Sequence, residues 1–257
     1  MALKEIKGGG SGWGGRTGRD GSLEKHRGLN QWHWTKGCDK SRPYRGRAHR
    51  SGPKVKKADE SLAALGFTEH SFPHVLRVSD IAGNILEDLG YSDREIELAR
   101  IAGYIHDIGN MVNRIGHSQS GAVMAFELLR DMGMKTDELC DIVAAIGNHD
   151  EGTGVAITPV AAALIIADKS DVRRSRVRNT DKTTFDIHDR VNYSVEKSTL
   201  RINKESKTVT LRLTVDTEYG SVMDYFEIFL GRMIMCRKAA EKLGLTFRLV
   251  INEQTVV

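Results

Sequence analysis

From Lys57 to about residue 174, apolar side chains recur at helical spacing, and the apolar runs meet a histidine or an aspartate at their ends. This pattern limits the chain to a helical bundle with polar groups gathered where helices start and stop. Ala58–Leu65 forms a short amphipathic stretch ending at Gly66. Thr68 or Ser71 can cap the next helix, Pro73 suits its first turn, and Gly90 ends it. Val75, Val78, Ile81, Ala82, Ile85 and Leu86 form its apolar face. Ser92 with Glu95 makes a capping box for a helix that runs to Ile105. Further helices are predicted over 117–132, 136–148 and 157–174, with a weaker one over 186–195.

The period changes after residue 195. Thr199–Ile202 and Thr208–Val215 alternate around the turn residues 203–206, which predicts a hairpin. A long helix over 219–243 stops at Gly244, and Thr246–Ile251 reads as a third strand. The expected organisation is mainly α. A disordered Gly/Arg-rich arm occupies 1–56, a helical metal-binding domain 57–185, and an α+β appendage 186–257.

Charge separates the arm from the rest. Residues 1–57 hold 15 Lys and Arg against 4 Asp and Glu, a net of +11, while the remaining 200 residues carry −7. The arm also holds 12 of the 26 glycines and all three tryptophans. Few apolar groups offset the entropy of ordering such a segment, so disorder is expected. Nucleic acid is expected as a partner only through this arm, by its arginines and aromatic rings. The alternatives are an inert tail or a segment that is not natural coding sequence. There is no apolar run of ~18 residues and no apolar core to a leader, so neither a membrane span nor a secretory signal is expected. Three scattered cysteines suggest reduced thiols and a cytoplasmic protein. Cys140 and Cys236, in apolar helices, are expected to be buried.

The chemistry lies in histidines and aspartates. His106-Asp107 closes one apolar helix and is followed by Ile108-Gly109. His117 opens another helix, His149 follows the run 142–146, and Asp168 follows the run 164–167. Burying adjacent ionisable groups is costly unless a charge pairs with them, and a divalent metal does so. Lys169 and Arg173 stand four apart in a segment, 169–182, with a net charge of +4. On one helical face they would suit a phosphate.

The order His74-x-x-Arg77-Val78, His106-Asp107-Ile108-Gly109, His117, His149 and Ala167-Asp168-Lys169 resembles the HD-domain superfamily of metal-dependent phosphohydrolases over roughly residues 57–175. That resemblance implies an HD-type helical bundle. It implies metal ligation by His74, His106, Asp107 and Asp168, with His117 and His149 completing a two-metal set and Asp107 bridging. His106 and Asp107 would be the catalytic pair, and His70 would stand behind the ligands. The cofactor would be one or two divalent transition metals (Fe, Mn, Zn or Ni), with Mg also compatible. The reaction would be hydrolysis of a phosphate ester or anhydride in a small phosphorylated molecule, a nucleotide being expected. A homo-oligomer is compatible with this reading. Two other readings are an HD-fold di-iron oxygenase and a non-catalytic nucleotide or nucleic-acid module. Asn110 stands where members that cleave cyclic dinucleotides commonly carry lysine.

Overall fold

A computed structural model describes residues 51–256, so residues 1–50 of the expected arm lie outside the described residues, while 52–56, expected to be its disordered end, are helical. The bundle follows the predicted helices. α1 (Gly52–Ala64) starts earlier than its amphipathic stretch because Pro53 suits the first turn, and it buries Val55, Ala58 and Leu62. α2 (Phe72–Leu89) ends at Gly90, whose φ of 81° is the left-handed stop that glycine adopts freely. α3 (Asp93–Ile105) begins with the Ser92–Glu95 capping box. A 3-10 turn (Ile108–Met111) leads towards α4 (His117–Asp131) and α5 (Thr136–Gly147).

α6 (Pro159–Lys169) is the central helix. Every residue from Val160 to Ala167 is buried, so it has no solvent stripe. Its neighbours are α2, α3, α5 and, from the C-terminal region, α8 (Val222–Lys242). The 157–174 prediction overran its C-terminal end. The chain leaves the helix at Ser170, and Arg173 has extended backbone at φ −164° and ψ 147°. Lys169 and Arg173 therefore do not share a helical face.

α7 (Ile187–Ser194) precedes a four-stranded sheet of order β1 (Val195–Asn203), β2 (Thr208–Val215), β3 (Thr246–Ile251) and β4 (Gln254–Thr255). β1 and β2 form the predicted antiparallel hairpin. β2 and β3 are parallel, with α8 as the crossover between them. The short β4 pairs antiparallel with β3 and was not predicted, two residues being too few to show a period. One apolar core runs from Val55 to Ile251 without a break at residue 185. Cys236 is buried as expected, and burial pushes its thiol up to about 12. Cys140 is exposed, because it falls on the solvent side of α5.

Gly109 shows how tightly the 3-10 turn meets α4. A Cβ there would lie 1.9 Å from the His117 carbonyl oxygen and 2.5 Å from the Gly121 nitrogen. Backbone cannot yield as a flexible side chain would. Gly109→Ala is expected to destabilise the fold by about 1–3 kcal/mol, the usual cost of overpacking. Urea unfolding of the two proteins measures this.

Candidate metal centre

Six side chains at helix ends converge on one buried site. His74 lies in the first turn of α2, and His106 caps the end of α3 with Asp107 directly after it. His117 is the first residue of α4. His149 follows α5, and Asp168 is the penultimate residue of α6. All four histidines are 0–1% exposed and Asp107 is 4% exposed.

His74 Nε2 lies 3.5 Å from Asp107 Oδ2 and 3.4 Å from Asp168 Oδ1. His106 Nε2 lies 3.3 Å and 3.6 Å from the same two oxygens. Metal–ligand bonds of about 2.0–2.2 Å place neighbouring donors roughly 3.0–3.4 Å apart, so these four atoms nearly outline a coordination shell. The other oxygen of Asp107, Oδ1, faces the remaining histidines at 3.6 Å from His117 Nε2 and 3.9 Å from His149 Nε2. Asp107 thus spans the two halves of the site.

The tautomers support the same reading. His106 Nδ1 is 2.8 Å from the Gly103 carbonyl, His117 Nδ1 is 3.0 Å from that of Arg114, and His149 Nδ1 is 2.6 Å from that of Ile146. His74 Nδ1 is 2.8 Å from Asp171 Oδ2. An acceptor at each Nδ1 fixes the proton there and leaves the Nε2 lone pair aimed into the site. Among the described residues, His74 Nε2, His106 Nε2 and Asp107 Oδ2 are buried without a hydrogen-bond partner. Such groups are costly to bury, and a divalent cation would satisfy all three. The donor set therefore fits a metal.

Charge is unevenly spread over the histidines. Burial opposes the imidazolium of His106, but Asp107 and Asp168 outweigh it and push His106 up to about 10. His149 falls to about 3 through burial, with the charges of His106 and Lys169 adding to it. Burial also lowers His117. Without a cation, protons concentrate beside the two carboxylates. His117 and His149 stay neutral with their Nε2 atoms 3.1 Å apart.

Residues around the ligands hold them in place. Asn110 Nδ2 donates to Asp107 Oδ1 at 2.9 Å. Lys169 is buried and donates to Asp168 Oδ2 at 2.7 Å. Lys169 also lies 3.4 Å from Glu151, which Arg232 of α8 holds at 2.7 Å. Arg173 is paired with Asp171 at 2.9 Å and Glu69 at 3.0 Å. Both residues assigned to a phosphate by sequence are thus bound to carboxylates in this structure, because 169–182 folds back onto acids rather than continuing a helix. His70 packs edge-on against His74, with ring centroids 5.4 Å apart, and its Nδ1 is 2.7 Å from the Thr68 carbonyl.

Two residues at the site escaped the sequence reading. Asp171 is fully buried and takes His74, Arg77 and Arg173 at 2.8–3.0 Å. Its signal was an acid three residues beyond Asp168. Arg114 reaches the site from the loop before α4, with Nη1 3.3 Å from His117 Nε2. Only its spacing to His117 hinted at this.

Residues 72–173, which include all six converging side chains, match the family model of the HD domain. This chain carries an HD domain. The chain also aligns with known proteins. An uncharacterised protein of Methanocaldococcus jannaschii is 24% identical over 182 residues, covering 62% of this chain and 70% of that protein. Ribonuclease Y of Thermosipho melanesiensis is 29% identical over 118 residues, covering 45% of this chain but only 22% of the ribonuclease. A solved structure titled as a predicted HD superfamily hydrolase, from an uncultured Thermotogales bacterium, has a TM-score of 0.40. It is 24% identical and covers 49% of this chain and 69% of that one. No described helix is long and apolar enough to cross a membrane.

Proposed function

We propose that this HD domain is a metal-dependent phosphohydrolase acting on a small phosphorylated molecule, a nucleotide being the first class to test. The carrying observation is the set of three buried, unpartnered atoms, His74 Nε2, His106 Nε2 and Asp107 Oδ2, facing one another across 3.3–3.5 Å. His74, His106, Asp107 and Asp168 would hold one divalent cation, and Asp107, His117 and His149 would hold a second. Such an ion lowers the pKa of a bound water and polarises a phosphoryl oxygen.

The chain's own groups have distinct tasks. Asn110 fixes the carboxylate plane of Asp107, and Lys169 fixes that of Asp168. Arg114 is a half-buried guanidinium at the edge of the His117–His149 half, in position to bind phosphoryl oxygens. The ribonuclease Y alignment also favours phosphate-ester chemistry over dioxygen chemistry, since that relative is named for cleaving RNA.

The test is phosphate release from a nucleotide and phosphate-ester panel by metal-loaded protein, with and without oxygen. Release that needs metal but not oxygen is expected. Turnover that requires oxygen and frees no phosphate would sink the proposal in favour of an oxygenase. Arg114→Ala is expected to lower kcat/KM by roughly 10–100-fold, the worth of one charged hydrogen bond of about 1.5–3 kcal/mol. Metal content should not change, and steady-state kinetics with metal analysis checks both.

A further inference from the structure

The sheet has two unlike faces. Val209, Leu211, Leu213, Phe247, Leu249 and Ile251 point into the core. The opposite face carries Lys197, Thr199 and Arg201 from β1, Thr210, Arg212 and Thr214 from β2, and Arg248 from β3. Lys197, Arg201, Arg212 and Arg248 are exposed. The one acid in the four strands, exposed Glu196, sits at the β1 bulge, 3.8 Å from Arg174.

Most arginines elsewhere are engaged, among them Arg94 with Glu97 and Glu138, Arg173 with Glu69 and Asp171, and Arg174 with Asp216, while exposed Arg190 and Arg237 stand singly. Arg201, Arg212 and Arg248 have no hydrogen-bond or ion-pair partner among the described residues. They border an open depression of about 320 Å³ whose other walls include Ser206, Thr208 and Thr210.

The register sets the spacing. Arg201 and Arg248 flank Thr210 in one row across the strands. Strands lie ~4.8 Å apart, so their backbones are roughly 10 Å apart, with Arg212 about 7 Å along β2 from Thr210. Like charges on neighbouring strands repel, so the arrangement costs stability until an anion joins it. Charges on an edge strand can serve to block strand pairing, but Arg212 lies on β2 between β1 and β3, where no edge needs blocking.

We infer that this face binds a single strand of nucleic acid through its phosphates, separately from the metal centre and from any hydrolysis there. The cationic rows are one backbone wide. Threonine and serine hydroxyls beside them add neutral hydrogen bonds to phosphate and sugar oxygens. No aromatic side chain stands on the face, so stacking is absent and binding is indifferent to sequence. No exposed leucine, phenylalanine or tryptophan stands there either, which disfavours a lipid surface, where apolar side chains enter the interface.

The test uses the full chain and a fluorescent 20-nucleotide oligouridine in EDTA, so that binding is read without metal-dependent hydrolysis. Arg201→Gln/Arg212→Gln/Arg248→Gln is expected to weaken binding at least about 10-fold. It should reduce the slope of log affinity against log salt by roughly 2, at about 0.7 per phosphate contact. The corresponding triple lysine variant should keep the slope. The exposed α8 pair Arg237→Gln/Lys238→Gln should bind as wild type. Circular dichroism melts confirm that each variant is folded. Unchanged affinity and slope in the glutamine triple would overturn the inference and leave binding to the arm. An equal loss in the α8 pair would also overturn it, as a general charge effect. So would arginine-dependent binding to phosphatidylserine vesicles without binding to oligouridine.

Discussion

Asp107→Asn is expected to abolish metal-induced stabilisation and turnover while leaving helical content unchanged. The substitution keeps the shape of the side chain and removes its charge. Asn110 Nδ2 already donates to Oδ1, so the new amide keeps its oxygen there and turns its NH2 towards the position of Oδ2. That NH2 would face His74 Nε2 and His106 Nε2, at 3.5 Å and 3.3 Å in the parent geometry, where the cation would otherwise sit. The variant thus fills the site with a proton donor and loses the one group that faces both halves. Removing an outer partner of a ligand alone costs about 10–100-fold in metal affinity, so losing this ligand should cost at least roughly 100-fold. In the parent protein, metal at 100 times its Kd adds about 2.7 kcal/mol of stability. Thermal melts with and without Mn, Fe or Zn should show that increment in the parent and lose it in the variant. An equal rise in Tm for both proteins would remove Asp107 from the metal centre.

The parts of the molecule that were legible in the sequence had local causes. Ser92 with Glu95, Pro73 and Gly90 mark helix ends by chemistry within a few residues, and those ends lie where predicted. Five of the six ligand candidates were legible because each bounds an apolar run, His74 entering through the family resemblance, and all six converge at helix ends. The misreadings share one origin. Nothing local marks the end of α6, since residues 170–173 contain neither glycine nor proline. The chain turns there because Asp171 is drawn in by His74, Arg77 and Arg176, which come from α2 and from beyond α6. Periodicity cannot register a long-range ion cluster, so Arg173 was placed on a helix and Asp171 counted only as charge. Cys140 shows the same limit on a smaller scale. Apolar neighbours placed it inside, and the rotation of α5 against the bundle put it on the surface.

Asp171→Ala should produce the largest loss of stability at the site. The carboxylate is buried with three arginines and a histidine around it. Burial pushes its pKa up, but the His74 hydrogen bond and the charges of Arg176 and Arg173 outweigh this and hold it well below the usual carboxylate range. Because the folded-state pKa is depressed, its stabilisation is fully present above the unfolded value of about 3.9 and fades as pH falls through the folded value. At neutral pH the alanine variant leaves buried positive charge without its acid, which costs about 3–5 kcal/mol. At roughly 2–4 °C per kcal/mol for a domain of this size, Tm should drop by about 6–20 °C. The gap between parent and variant should narrow at acid pH, where the parent loses the same charge. A destabilised fold would explain a lower Tm without any link to the metal, so Asp171→Asn separates the two roles. It keeps an oxygen for the His74 Nδ1 proton but not the negative charge that makes Nε2 a stronger donor. Metal titration well below Tm should then show affinity reduced by about 10–100-fold. Parent-like affinity in the asparagine variant would make Asp171 a packing anchor for its arginines and free His74 of any electronic dependence on it.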